Sequence, residues 1–397
     1  MKPLPEIRPA PRQRTRVLLL ADEAMSDGAQ RQIVHLARGL DRRRFEPTVL
    51  HACQPAPDLA RELDDAGVPG LRLPRHGRVD PDFLLRLVRT LRAGRYDVMH
   101  GFALPGELWG AVARRFVPAV RRPVLLSSLR GGCEDYSPWQ WRLKRWVSAQ
   151  SRGIVANSLA AARLAGTRMG LPVEAVELVC DGVVPAPPPP QARQRVRQEL
   201  GLCPTTPLAL FAGRLAEPAN LPTLLRAMQQ LQGARPELRL AIAGDGPLRP
   251  WLEREIAALG LRQRVCLLGE RADLADLRAA ANFLVRPSLR EATSGVVLEA
   301  MASGLPVIAS RGGGNAELIE HERTGLLFDA RDAGALARAM ATLACDGPLR
   351  LRLAAAARAR VQQSHGVASM VRAIERRYDA ALDQRPFPAA SLARTTG

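Results

Sequence analysis

Short apolar runs alternate with longer stretches of helical period along the whole chain. Residues 17–20 are continuously apolar, as in a strand buried on both faces, and a loop at 22–28 and a helical pattern at 29–40 follow. Further strand-like runs lie at 48–51, 70–73, 97–100, 124–127, 154–156 and 176–179. Residues 185–190 then read Pro-Ala-Pro-Pro-Pro-Pro, a stiff extended linker that continues neither helix nor strand. Beyond it the pattern restarts, with strands at 208–212, 238–243, 265–268, 283–285 and 306–309 and a helix at 221–231. A last helical stretch covers 367–382, and the chain from Gln384 onward reads as disordered. Buried strands separated by helices predict parallel sheets with helices on both faces. The expected fold class is therefore α/β: two doubly wound domains, at 14–188 and 204–365, with the active site in the cleft at the carboxyl ends of their strands.

The segment 286–310 carries the most chemistry. A strand ends at Pro287, and Thr293 or Ser294 is placed to cap a following helix. Glu291 lies in the loop before that helix and Glu299 on it. The unbonded N–H groups of Ser294, Gly295 and Val296 at the helix start favour an anion, and Gly295 lets a bulky one approach the backbone. Such a line of groups can hold a sugar hydroxyl, a phosphate and a ribose.

This segment resembles the Glu-x7-Glu motif of the retaining GT-B glycosyltransferases, in particular glycosyltransferase family 4. Glu291, Glu299, Ala300, Met301, Ala302, Gly304, Pro306, Val307, Ile308 and Ala309 follow the family pattern. Gly213-Arg214-Leu215 resembles the family's G-R-L motif, Gly312-Gly313-Gly314-Asn315 with Glu317 its donor-closing element, and residues 324–327 its next strand. The resemblance spans nearly the whole chain but is specific only from 208 to 328. It implies the GT-B arrangement, two Rossmann-like domains facing across a cleft, with a helix at 366–384 returning to the first domain. The implied reaction is metal-independent, retaining transfer from a nucleotide-diphosphate sugar to a glycan or lipid-linked acceptor. Synthesis of a cell-surface polysaccharide, lipopolysaccharide or glycolipid is the implied setting, and the donor is the only cofactor-like molecule.

Negative charge grows on the departing diphosphate, and without a metal it must be met by cations and backbone amides. The implied catalytic residues are Arg214, Glu291 and His100. The implied donor site comprises Gly28, Arg214, Glu291, Ser294, Gly295, Val296 and Glu299, with Glu299 on the ribose, Glu291 on the hexose and Arg214 on the phosphates. Two positions depart from the pattern. Ala219 stands where the family has a second, lysine, cation, and Phe102 stands where it has a second histidine after His100. These departures keep open an alternative, a catalytically impaired partner subunit that still binds donor. A nucleotide-sugar epimerase of similar fold is a third reading, against which the Glu-x7-Glu context argues.

Composition narrows the picture further. Net charge is +18, yet Lys2 and Lys144 are the only lysines. No lysine follows a Gly-rich loop, which excludes a P-loop, and none lies beyond 144 for a pyridoxal Schiff base. Six scattered cysteines without a C-x-x-C fit free thiols in a reducing cytoplasm and no metal site. No Asp-x-Asp pair is placed to hold a divalent ion. Residues 114–152 carry nine basic residues against two acidic ones, interleaved with Tyr136, Trp139, Trp141 and Trp146. That composition fits an anionic bilayer surface, hence a peripheral position at the inner face of the cytoplasmic membrane, and equally a helix with a solvated basic face. No nucleic-acid motif is present.

Overall fold

The structure, a computed structural model, describes residues 14–22, 27–54, 57–77, 79–130, 133–184, 188–291 and 293–383. The tail from Gln384, residues 1–13, most of the loop after the first strand, and Pro185 to Pro187 of the linker lie outside the described residues.

The first sheet contains β1 (Thr15–Ala21), β2 (Phe45–His51), β3 (Gly70–Arg72), β4 (Val98–Gly101), β5 (Val124–Leu129), β6 (Gly153–Ala156) and β7 (Val176–Leu178). Its order is β3-β2-β1-β4-β5-β6-β7, with every pairing parallel. The second contains β8 (Leu208–Ala212), β9 (Arg239–Ala243), β10 (Val265–Gly269), β11 (Phe283–Arg286), β12 (Val307–Ser310) and β13 (Leu326–Phe328). Its order is β10-β9-β8-β11-β12-β13, again all parallel. Strand order reverses between β1 and β4 in one sheet and between β8 and β11 in the other. At such switch points adjacent loops diverge and leave a crevice at the strand ends.

The central strands are apolar throughout because helices cover both of their faces. Val17, Leu18 and Leu19 are fully buried, as are Ala209 and Phe211. Two helices that the apolar pattern did not single out, Pro57–Asp65 and Pro81–Gly94, connect β2 to β3 and β3 to β4. The second has a clear start signal: Asp80 accepts from the Phe83 N–H, and Pro81 opens the first turn.

The chain crosses between the halves twice. Val183 bridges to Gly366, and the Val183 N–H donates to the His365 carbonyl. Gln32 clamps this crossing from the first half, its amide both donating to and accepting from the Gly182 backbone at 2.9 Å. The final helix, Val367–Leu382, packs Met370, Val371, Ile374 and Tyr378 into the same apolar cluster as Val17, Ile33 and Phe45. Glu375 accepts from the Asp41 N–H, and Arg44 pairs with Asp379, so this helix is fastened to the first half at its rim as well.

Candidate functional site

The second half supplies the better-defined wall. β8 ends at Ala212 and the chain turns at Gly213, whose φ of +141° is open to glycine and few other residues. A Cβ there would sit 2.4 Å from a guanidinium nitrogen of Arg286, so the glycine also makes room for that side chain. Arg214 follows. It is exposed, and its guanidinium has no hydrogen bond or ion pair among the described residues, which leaves its fork available to a ligand.

The helix Gly295–Ser303 starts where sequence placed it. Ser294 is its cap and accepts from the Val297 N–H at 3.4 Å. The N–H groups of Gly295 and Val296, in the first turn, have no partner within the helix. A Cβ added at Gly295 would meet nothing within 4 Å among the described residues, so there is open space beside the helix start at that position. Glu299, one turn further on, pairs with Arg278 at 2.7 Å and is about a third exposed.

Glu291 is the most constrained group of the wall. Arg286 donates to both of its oxygens, Nε to Oε2 and Nη2 to Oε1, each at 2.9 Å. The Ser288 hydroxyl adds a bond to Oε2 at 2.9 Å. Burial by itself would raise the pKa of this carboxyl. The Arg286 charge and the bonds from Arg286, Ser288 and Ser294 outweigh burial and hold it below the usual value, so Glu291 is ionised. The glycine loop packs against the same residue. The Gly314 N–H donates to the Glu291 carbonyl, and a Cβ at Gly313 would fall 1.9 Å from that oxygen.

Ala219 occupies a short turn, Glu217–Ala219, and is 5 % exposed within the apolar core of the second half. The place of the expected lysine is thus filled by packing. At the end of β11 stands a further charged group, Arg286, bonded to the Ala212 carbonyl and to Glu291. Sequence reasoning did not single it out, although an arginine closing an otherwise apolar strand is a visible signal. Two other arginines of this half, Arg226 in mid-helix and Arg311 just after β12, are exposed.

The first half meets this wall at Asp135, Asn157 and the start of the helix Leu159–Met169, which touch Arg290, Thr293 and Glu317. Gly28, in the first turn of the helix Asp27–Gly39, is exposed with open space around it. His100 requires a correction. Sequence reasoning made it catalytic, but it is 0 % exposed and both ring nitrogens are engaged, Nδ1 with the Tyr378 hydroxyl at 2.9 Å and Nε2 with the Ser128 hydroxyl at 2.8 Å. Burial, then the charges of Arg130 and Lys144, push its pKa down to about 3, so the ring is neutral. It fastens the final helix to the first sheet and presents no atom to a substrate. Phe102 stacks on it with ring centroids 4.2 Å apart, and the Arg130 guanidinium lies 5.0 Å from the Phe102 centroid. Arg130 is itself paired with Asp181, which also accepts from the Asn157 amide.

The basic segment 114–152 divides in two. Trp141 and Lys144 are buried, and Lys144 is bonded to Glu107, Ser127 and the Ser128 carbonyl, so neither belongs to a surface patch. Exposed are Arg115, Phe116, Val120, Arg121 and Arg122 in the connection leading into β5, with Trp139, Arg142 and Arg145 on the helix Pro138–Ala149. No helix among the described residues is long and apolar enough to cross a membrane, and none of them form a group of three or more His, Cys, Asp or Glu placed to hold a metal ion.

Comparison with known proteins fits this geometry. Residues 192–360 match the family model of glycosyl transferases group 1, and residues 26–187 match that of Glycosyltransferase Family 4. The chain is 32 % identical to a D-inositol 3-phosphate glycosyltransferase of Xylanimonas cellulosilytica, over 70 % of either protein. It is 30 % identical to the protein of that name from Thermobispora bispora, over 81 % of this chain and 78 % of that one. Among solved structures, Anabaena HepE in complex with UDP-glucose superposes with a TM-score of 0.80 at 24 % identity, covering 92 % of this chain and 99 % of that one. Sucrose-phosphate synthase of Thermosynechococcus elongatus superposes with a TM-score of 0.75 at 21 % identity, covering 94 % of this chain and all of that one. With both family models matched and the two parallel sheets in place, the chain belongs to the group 1 glycosyltransferases, family 4, and has their GT-B fold.

Proposed function

We propose that this glycosyltransferase moves a hexose from a nucleotide-diphosphate sugar to a hydroxyl acceptor, with retention at the anomeric carbon and without a metal ion. The observation that carries the reading is the open helix start at Gly295, preceded in the chain by the ionised Glu291, in a half that also holds the partnerless Arg214 after β8. In this reading the amides of Ser294, Gly295 and Val296 and the fork of Arg214 take the diphosphate. They meet the charge that develops as the bond to the sugar breaks. Glu299 takes the ribose diol, exchanging its bond with Arg278 for the two hydroxyls. Glu291 takes a hydroxyl of the hexose, and Gly28 lets the first half approach the phosphates. No carboxylate is assigned as a nucleophile. A uridine donor is supported by the UDP-glucose bound to HepE.

The acceptor reading is a glycan or lipid-linked sugar. The exposed Phe116, Val120 and surrounding arginines support it as a contact for an anionic membrane surface at the cytoplasmic face. A second acceptor, a phosphorylated inositol, is favoured by the names of the relatives. The test is a grid of UDP- and GDP-sugars against D-inositol 3-phosphate and lipid-linked sugars, with the product's anomeric configuration read by NMR. Inverted product, or a donor sugar left on its nucleotide with one stereocentre inverted, would overturn the reading. Binding of a nucleotide sugar with no turnover on any acceptor would favour the impaired partner subunit. Sedimentation with phosphatidylglycerol vesicles at low salt, abolished in Arg115→Glu/Arg121→Glu, tests the membrane contact.

A further inference from the structure

We infer that Arg286 is a positioning residue for the donor sugar: its fork fixes the carboxylate of Glu291 so that Glu291 accepts no more than a single sugar hydroxyl. This rests on the reading of Glu291 as the hexose-holding residue.

Arg286 closes β11, beside Ala212 and Gly213 at the end of β8. Its Nη1 donates to the Ala212 carbonyl at 3.0 Å, and its guanidinium lies over the Phe211 ring at 5.5 Å from the centroid. These two contacts fix the plane of the fork, and Gly213 leaves space for it. The remaining donors, Nε and Nη2, meet both oxygens of Glu291, giving a bidentate pair in which the two side chains are 15 % and 14 % exposed. Oε2 also takes the Ser288 hydroxyl, which itself follows the strand by two residues. A carboxylate has about four acceptor directions. Arg286 and Ser288 take two on Oε2 and one on Oε1, and the Ser294 hydroxyl also bonds the carboxylate, so a sugar hydroxyl can enter only in the place that Ser294 gives up. Glu291 therefore cannot chelate two adjacent hydroxyls. The pair is nearly neutral as a unit, so Arg286 adds little net charge for the diphosphate and is distinct in role from the unpaired Arg214. A lysine at 286 offers one point charge on a flexible stem and cannot hold both oxygens together with the Ala212 carbonyl.

The experiment is calorimetric binding to the full-length protein. UDP-glucose and GDP-mannose are each compared with their own nucleoside diphosphate, and the pair that binds the wild type more tightly is used. The readout is the ratio of the affinity for the sugar nucleotide to that for the diphosphate. Arg286→Met should lower this ratio about tenfold, on the scale of one lost charge-assisted bond, and leave the diphosphate affinity within about twofold. Arg286→Lys should fall between, and it carries the test if the methionine variant does not fold. Glu291→Gln should lower the ratio similarly, and Arg286→Met added to Glu291→Gln should lower it no further. The ratio in Arg286→Met should also fall as pH is lowered through the range where a buried, unpaired carboxyl takes up a proton, while the wild-type ratio stays flat. If Glu291→Gln lowers the ratio and neither Arg286 variant does, the positioning role is overturned. Equal losses for diphosphate and sugar nucleotide in Arg286→Met would make it a phosphate ligand instead and also overturn it. If Glu291→Gln leaves the ratio unchanged, or neither donor binds, it is the underlying reading of the donor site that fails.

Discussion

At position 214 an exposed guanidinium follows a strand end with no hydrogen bond or ion pair among the described residues. Ordering a bare arginine is unrewarded until an anion arrives, and in the proposed reading that anion is the diphosphate. Arg214→Ala should then lower turnover by about a hundredfold or more, the scale of losing one preorganised electrostatic contact. Urea unfolding should be unaltered, because no internal bond is removed. Full activity in the variant would show that the diphosphate lies elsewhere. His100 behaves in the opposite way. Its removal orphans the buried hydroxyls of Ser128 and Tyr378, so His100→Ala should destabilise the protein by about 2–4 kcal/mol. Turnover per folded molecule should stay within a few-fold. The pH dependence follows from its pKa, about 3 in the folded chain against 6.5 when unfolded. Between these values the unfolded state binds the proton and the folded state does not. The contribution of His100 is therefore whole above 6.5 and declines as pH falls towards 3. The gap in urea midpoint between wild type and variant should shrink over that range. A gap that widens on acidification would contradict a neutral, buried ring.

Helix starts and strand ends do most of the work of the site, and they differ in how readily they are read. The helix Gly295–Ser303 was legible because its cap, its glycine and both glutamates fall within a few consecutive residues. The strands β1, β8 and β11 were legible because strands buried on both faces leave nearly unbroken apolar runs. What stayed hidden depends on contacts across the fold. Nothing local to His100 announces that Tyr378, from the final helix, will take its Nδ1. Likewise Lys144 and Trp141 read as surface groups until Glu107 and the core claim them. Arg286 lay in plain view, but its meaning required the register that places β11 beside β8. The chemistry assigned to these element ends makes a further prediction. Amides at a helix start and a free arginine meet the diphosphate charge directly, so transfer should proceed at an undiminished rate in EDTA. A rate that collapses with chelator and returns with manganese would require carboxylates that this arrangement does not assign.

The two halves of the molecule meet around the donor loop, and one carboxylate dominates that meeting. Glu317 follows the glycine loop of the second half by three residues, and its oxygens accept from the Leu159 and Ala160 N–H groups at 2.8 and 2.6 Å. Those amides begin the helix Leu159–Met169 of the first half, whose cap Ser158 already satisfies the Ala161 N–H. Glu317 therefore supplies a negative charge to the positive end of a helix across the cleft, an interaction strengthened by its charge and by the helix dipole. The same loop touches Glu291 through the Gly314 N–H, so whatever sets the position of Glu317 also sets the backbone beneath the residue proposed to hold the hexose. The nearby cross-cleft contacts are weaker: Thr293 donates to the Asn157 carbonyl at 3.5 Å, and Arg290 pairs with Asp135 at 3.4 Å with both side chains more than half exposed. Removing Glu317 should thus loosen the halves more than any other single change at this face. In Glu317→Ala the radius of gyration from small-angle scattering should rise without ligand and return towards the wild-type value when UDP-glucose is saturating. The Michaelis constant for donor should rise by about tenfold, within the usual range of coupling between sites, because donor binding must now also close the cleft. Glu317→Gln retains one carbonyl acceptor and should recover part of both effects. If scattering and the Michaelis constant are both unchanged in Glu317→Ala, the contact plays no part in closure, and the two polypeptide crossings alone set the arrangement of the halves.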